Sequence, residues 1–246
     1  MSLVEMSLPD TVKKQFSFKM RAYIGMFGSL VLMQLVGMFF SFGGTFTTGI
    51  GSQGIMVNFS YHSADTIIVF TMIWSFISAI LITTKATRYD DFAFVTNRVS
   101  SHVSNALFLL AASIAGGVTS VLAGYVMKII LYFYKNIQYG SGTLTIKELA
   151  IGFAAAALYV FLFGALGYLT GTLIQISKVF IILLPAAFVG MVTVGAINGK
   201  EETLKAVFNF FAAESSPFIF LIKVMVFSAI LFTGAAALSN RMEVRK

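Results

Sequence analysis

Apolar positions in this chain come as long, unbroken runs separated by short polar stretches. Six windows stand out: Ala22 to Phe42, Thr66 to Thr84, Asn105 to Tyr134, Leu149 to Leu173, Val179 to Ile197 and Phe218 to Leu238. A bilayer core of about 30 Å is crossed by roughly 20 helical residues, because each residue rises only about 1.5 Å. All six windows meet that length. The runs are continuous and do not alternate, which excludes the period-two strands of a membrane barrel, and lipid offers no partner to an open sheet edge. The expected fold class is all-α: a polytopic membrane protein with six transmembrane helices in a single transmembrane domain, residues 1–246. The first run begins after Arg21, has full spanning length and lacks an A-x-A cleavage site, so it is expected to be a retained helix.

Three polar stretches carry patterns of their own. In residues 1–21, Pro9 and Asp10 suit a helix start, and Val12, Phe16, Met20 and Tyr23 recur at helical spacing with Lys13, Lys14, Lys19 and Arg21 between them. That pattern predicts a basic amphipathic helix lying on the inner leaflet; a disordered basic tail is the alternative. Residues 85–104 mix Tyr89, Phe92 and Phe94 with Arg88, Asp90, Asp91 and Arg98, and are far longer than a connection requires. Val95, Val99 and Val103 share a helical face, so a short helix offering aromatics to a partner is expected there, against a charged loop that merely caps its own bundle. In residues 198–217, Leu204, Val207, Phe208 and Phe211 mark one apolar face, Glu201 and Glu202 suit a helix start, and Pro217 ends the segment. A short outer helix, re-entrant or interfacial, is predicted. The stretch from Phe42 to Asp65 is rich in Gly, Ser and Thr and predicts no rigid helix.

Composition supports the membrane class, with 58% hydrophobic and 11% charged residues, and the charge pattern gives an orientation. Eleven cations fall on one side, namely Lys13, Lys14, Lys19, Arg21, Lys85, Arg88, Arg98, Lys178, Arg241, Arg245 and Lys246; four fall on the other, Lys135, Lys147, Lys200 and Lys205. Short loops rich in Lys and Arg stay inside, so both termini are expected in the cytoplasm of a cell, most simply a bacterial one. Lys128 and Lys223 lie within apolar windows near their outer ends, where long stems reach the interface. The net charge of +7 is thereby accounted for by topology and gives no argument for nucleic acid.

Candidate chemistry is sparse. There is no cysteine; His62 and His102 fall on opposite sides and cannot share a metal; and Asp65, Glu148 and Glu214 sit at window edges. No metalloprotease, hydrolase-elbow or complete phosphate-loop motif appears, so neither catalytic nor metal-binding nor cofactor-binding residues are expected in this chain. Small residues at four-residue spacing, Ala112, Gly116, Ser120 and Gly124 in the third window and Gly167 and Gly171 in the fourth, mark close-approach faces, used for packing within the chain, for a homodimer seam or for a smooth conduit wall. Pro185 is expected to kink the fifth.

The arrangement of six helices, an interfacial basic helix before the first, a charged aromatic loop after the second and a short outer helix before the sixth resembles the permease subunit of an ABC-2 type exporter. The best local match is RYDDFAFVTNRVSSHVSNALFLL, Arg88 to Leu110, with Thr96, Asn97 and Arg98 where that family often has a proline-serine-arginine turn. The resemblance implies a second permease subunit, identical or homologous, and separate ABC ATPase subunits that bind ATP and magnesium. It also implies contact of Arg88, Tyr89, Asp90, Asp91, Phe92 and Arg98 with the ATPase, and a hydrophobic or amphipathic cargo such as a peptide, lipid or toxin. The competing class is a non-transporting membrane scaffold or immunity protein that binds a peptide or partner protein in the bilayer. An ion channel would want a pore-lining polar ring, which the windows lack.

Overall fold

The computed structural model describes residues 7–42, 46–52, 55–61, 65–84, 98–135, 145–197, 210, 211, 214 and 216–241. Within them run seven helices: α1 (Leu8–Ala22), α2 (Ile24–Phe42), α3 (Asp65–Ile82), α4 (Arg98–Lys135), α5 (Ile146–Ile176), α6 (Phe180–Ile197) and α7 (Pro217–Arg241). Two strands, β1 (Phe46–Ser52) and β2 (Ile55–Tyr61), join α2 to α3. Five helices, α2, α3, α4, α5 and α7, are long and apolar enough to cross a membrane, which places the chain among helical membrane proteins.

The strands are the exception to an otherwise helical chain. They pair antiparallel in the register Phe46 with Tyr61 through Ser52 with Ile55. The Gly and Ser content of this stretch hides a run of Thr, Ile, Val, Phe and Tyr that favours extended backbone, so a hairpin forms where sequence predicted only an irregular loop.

Local signals set the helix starts. Ser7 caps α1, its hydroxyl accepting from the Asp10 N–H at 3.4 Å, and Pro9 sits in the first turn, where no backbone donor is required. Tyr23, the single non-helical residue between α1 and α2, donates its N–H to the Lys19 carbonyl at 2.9 Å and closes the first helix. Glu148 accepts from the Thr145 N–H at 3.1 Å, the returning half of a capping box for α5. At 38 residues, or about 57 Å, α4 is far longer than a membrane core, and its polar first two turns continue straight from the apolar part. The helix expected around Val99 and Val103 is therefore the start of α4 and not a separate piece.

Packing centres on α3, α4 and α5, with α2 laid on α3 and α4, α7 on α5, and α1 on α4. Glycines permit the closest crossings. A Cβ at Gly167 would strike the Phe76 backbone, at 2.9 Å from its carbonyl carbon and its Cα, and one at Gly117 would lie 2.5 Å from the Ala157 nitrogen. At Gly171 it would meet the Thr83 hydroxyl and lie 3.0 Å from the Ile80 Cα; at Gly116, 3.1 Å from the Thr71 methyl. These faces are used inside the chain, so the homodimer-seam alternative fails at Gly116, Gly167 and Gly171. Ser120 and Gly124 are buried on the same helix.

Two apolar clusters mark the ends of the bundle. Ile67, Met127 and Leu131 gather with Met38 and Phe42 at the hairpin end, where α2 and α4 finish and α3 begins. Ala79, Ile82, Phe108, Leu109, Tyr168 and Ala235 gather with Phe16, Met20 and Tyr23 at the α1 end, where α4 begins and α3, α5 and α7 run toward their finish. Side by side, α5 and α7 run parallel: the Tyr159 ring lies tilted against Phe220 at 4.8 Å and that of Tyr168 against Phe232 at 5.2 Å. By contrast α6, which contains Pro185, is sparsely packed, with Ile181, Ile182, Leu183 and Val189 all exposed.

Candidate functional site

Three polar assemblies interrupt the apolar bundle. The first sits at the α1 end. Val12, Phe16 and Met20 lie on the face that the helical period predicts and turn inward onto the bundle, and they carry Gln15 and Lys19 in with them. Lys19 is 2% exposed, and its ammonium donates to Ser104 Oγ at 2.9 Å and Asn105 Oδ1 at 2.5 Å. Asn105 Nδ2 donates to the Tyr168 hydroxyl at 3.2 Å, and His102 Nδ1 lies 2.7 Å from the same oxygen. Three helices, α1, α4 and α5, are thus joined by one chain of hydrogen bonds. A buried ammonium is tolerated only when such partners replace water. Lys19, expected among the cations between the apolar positions of α1, is drawn in because the face that packs is wider than its apolar residues alone, and His102 is half-buried beside Tyr168.

The second assembly lies mid-bundle. Gln34 Nε2 donates to Thr119 Oγ1 at 2.9 Å and reaches the Gly116 carbonyl at 3.3 Å and Thr71 Oγ1 at 3.4 Å. One amide thereby ties α2 to α3 and α4. Trp74 Nε1 donates to Ser29 Oγ at 2.9 Å, and Ser75 Oγ to the Val160 carbonyl at 2.9 Å. Such bonds hold helices together where lipid removes the water-driven force.

The third assembly lies where α7 begins, beside the middle of α5. Lys223 pairs with Glu214, donates to the Phe210 carbonyl at 3.2 Å and sits 4.2 Å from the centre of the Phe210 ring. The Tyr159 hydroxyl donates to the Phe211 carbonyl at 3.1 Å, and the rings of Phe210, Phe211 and Phe227 meet edge to face. Lys223 therefore ends between a carboxylate and an aromatic face within the chain. Lys128 is exposed, with its ammonium 5.2 Å from the Tyr125 ring.

Of the residues predicted to face an ATPase, Arg88, Tyr89, Asp90, Asp91 and Phe92 lie outside the described residues, and Arg98 opens α4. Of the predicted outer helix, Leu204, Val207 and Phe208 lie outside them, while Phe211 packs beside Tyr159, Phe220 and Val224. Sequence reasoning missed Gln34, Asn105, Tyr168 and Gly117. A lone amide mid-window and a second glycine beside Gly116 were the available signals. Among the described residues, no three His, Asp or Glu side chains gather as metal ligands would. Comparison with protein-family models, curated proteins and solved structures found no match to this chain.

Proposed function

We propose that this chain is the permease subunit of an ATP-driven exporter, pairing with a second permease subunit and docking separate ATPase subunits on its cytoplasmic side. The observation that carries the reading is the parallel run of α5 and α7. Two neighbours pointing the same way need a return crossing between them. The segment available is α6, 18 residues of almost wholly apolar sequence and about 27 Å long. Six crossings put both termini, α1, the 85–104 segment and Lys178 on one side, the side that the eleven cations assign to the cytoplasm. That is the layout in which an internal loop can meet an ATPase that holds ATP and magnesium.

Exposed apolar sides of α2, α3, α4, α6 and α7 are surfaces open to lipid and to the second subunit. Cargo of hydrophobic or amphipathic character fits an apolar wall of this kind.

The test is Phe92→Ala in protein purified from its native membranes. Because aromatic anchors at interfaces often carry about 2 kcal/mol or more, the variant is expected to lose most of the ATPase that accompanies the wild-type chain, or to uncouple hydrolysis from export. A wild-type chain that brings no ATPase, or a variant with unchanged binding and coupling, contradicts the proposal.

A further inference from the structure

We infer that α1 is a two-position switch, docked on α4 or lying on the membrane, and that anionic lipid is the ligand that selects the second position. The inference rests on membrane placement with α1 at the inner face, not on transport. Docking takes two long polar side chains of α1, Gln15 and Lys19, out of water. Gln15 is 0% exposed, and neither its amide oxygen nor its amide nitrogen has a hydrogen-bond partner. Lys19, one turn on, is buried as an ammonium against Ser104 and Asn105. Native interiors leave few such amides unpartnered, so the docked seat carries a standing cost that a Met or Leu at position 15 would not.

On the leaflet the same helix recovers what it loses by leaving. Val12, Phe16 and Met20 exchange a protein seat for the acyl boundary, so apolar burial differs little between the two positions and the polar groups decide. Gln15 regains water. Lys13, Lys14 and Arg21 are already exposed, flanked by exposed Leu8 and Phe18, and release adds the charge of Lys19 to theirs. Each cation near an anionic surface gains, whereas a neutral surface offers none of this, so lipid charge sets the balance. The hinge is present: Tyr23 alone separates α1 from α2, and swinging about it leaves α2 intact. Undocking would also free Asn105 from Lys19, so the position of α1 is transmitted to Tyr168 of α5 through the hydrogen bonds that join them.

The chain has no cysteine, so spin labels can be placed at will, here at Ser17 and Val99, both exposed on α1 and α4. Distances are measured by pulsed electron paramagnetic resonance in nanodiscs of phosphatidylcholine alone or mixed with phosphatidylglycerol. Phosphatidylcholine should give one narrow distance. Phosphatidylglycerol should add a longer, broader one, with the released-to-docked ratio rising at least about tenfold. Gln15→Met should return the population to the short distance, and combined Lys13→Gln, Lys14→Gln and Arg21→Gln should abolish the lipid response while preserving the short distance. One unchanged distance in both lipids overturns the inference, as does release promoted by Gln15→Met or an undiminished lipid response in the triple variant. A change seen only in native membranes, and in neither disc, assigns the basic face to an acidic protein and equally overturns it.

Discussion

Gly167→Ala adds one methyl group at the point where α5 crosses α3. The new Cβ would fall on the Phe76 backbone, 2.9 Å from both the carbonyl carbon and the Cα, with the carbonyl oxygen closer still. No side chain can swing aside to make room, because the obstruction is main chain in the middle of a helix. Overpacking of this kind costs about 1–3 kcal/mol, and the gain in helix propensity on replacing Gly by Ala offsets at most about 1 kcal/mol. A net loss of about 2 kcal/mol is expected. Gly152→Ala on the same helix is the control, since its Cβ meets nothing within 4 Å and the substitution should be neutral or slightly stabilising. The single tryptophan, Trp74, is 4% exposed on α3 two residues from the clash, so its fluorescence reports unfolding as a denaturing detergent is titrated into bicelles. A Gly167→Ala protein as stable as Gly152→Ala would refute the packing of α3 on α5 described above.

Two further outcomes are expected. A double-mutant cycle of Gln34→Leu with Thr119→Ala should give a coupling energy of about 0.6 to 1.7 kcal/mol, the range of hydrogen bonds between membrane helices; coupling near zero would mean that Gln34 does not tie α2 to α4. Glu214→Gln should weaken the hold of Lys223 on the Phe210 segment, a partly exposed contact worth at most about 1 kcal/mol, so amide exchange at Phe210 and Phe211 should speed up by no more than about fivefold. Exchange that does not change would remove the ion pair from the account of that segment.

How much of this could be read from sequence differs from one element to the next. The helices follow from run length and continuity, since a bilayer tests little else, and α2, α3, α5 and α7 fall within a few residues of their windows. The polar first turns of α4 were legible as helix from Val99 and Val103 but not as part of the spanning helix: Ser100, Ser101 and Ser104 are weak helix formers, yet α1 packs on α4 and the helix runs on without a break. Lys19 was legible as a cation and not as a buried one, because burial depends on which way α1 rotates on α4, a tertiary choice that periodicity leaves open. Gly116, Gly167 and Gly171 were recognisable as packing positions, but their partners were not, since spacing identifies a face and says nothing of what lies opposite. The hairpin was obscured by composition, where Gly and Ser outweighed the alternating Thr, Ile, Val and Phe.

The six-crossing arrangement bears most of the functional argument, and α6 is where it is decided. Single cysteines at Val179, exposed just before α6, and at Asn198, the residue after it, can be placed in a chain that has no other thiol. Treated with a membrane-impermeant maleimide, intact cells should label Asn198→Cys, while Val179→Cys should label only after permeabilisation. Labelling of both from the same side would mean that α6 does not cross, and would contradict the six-span layout together with the exporter built upon it.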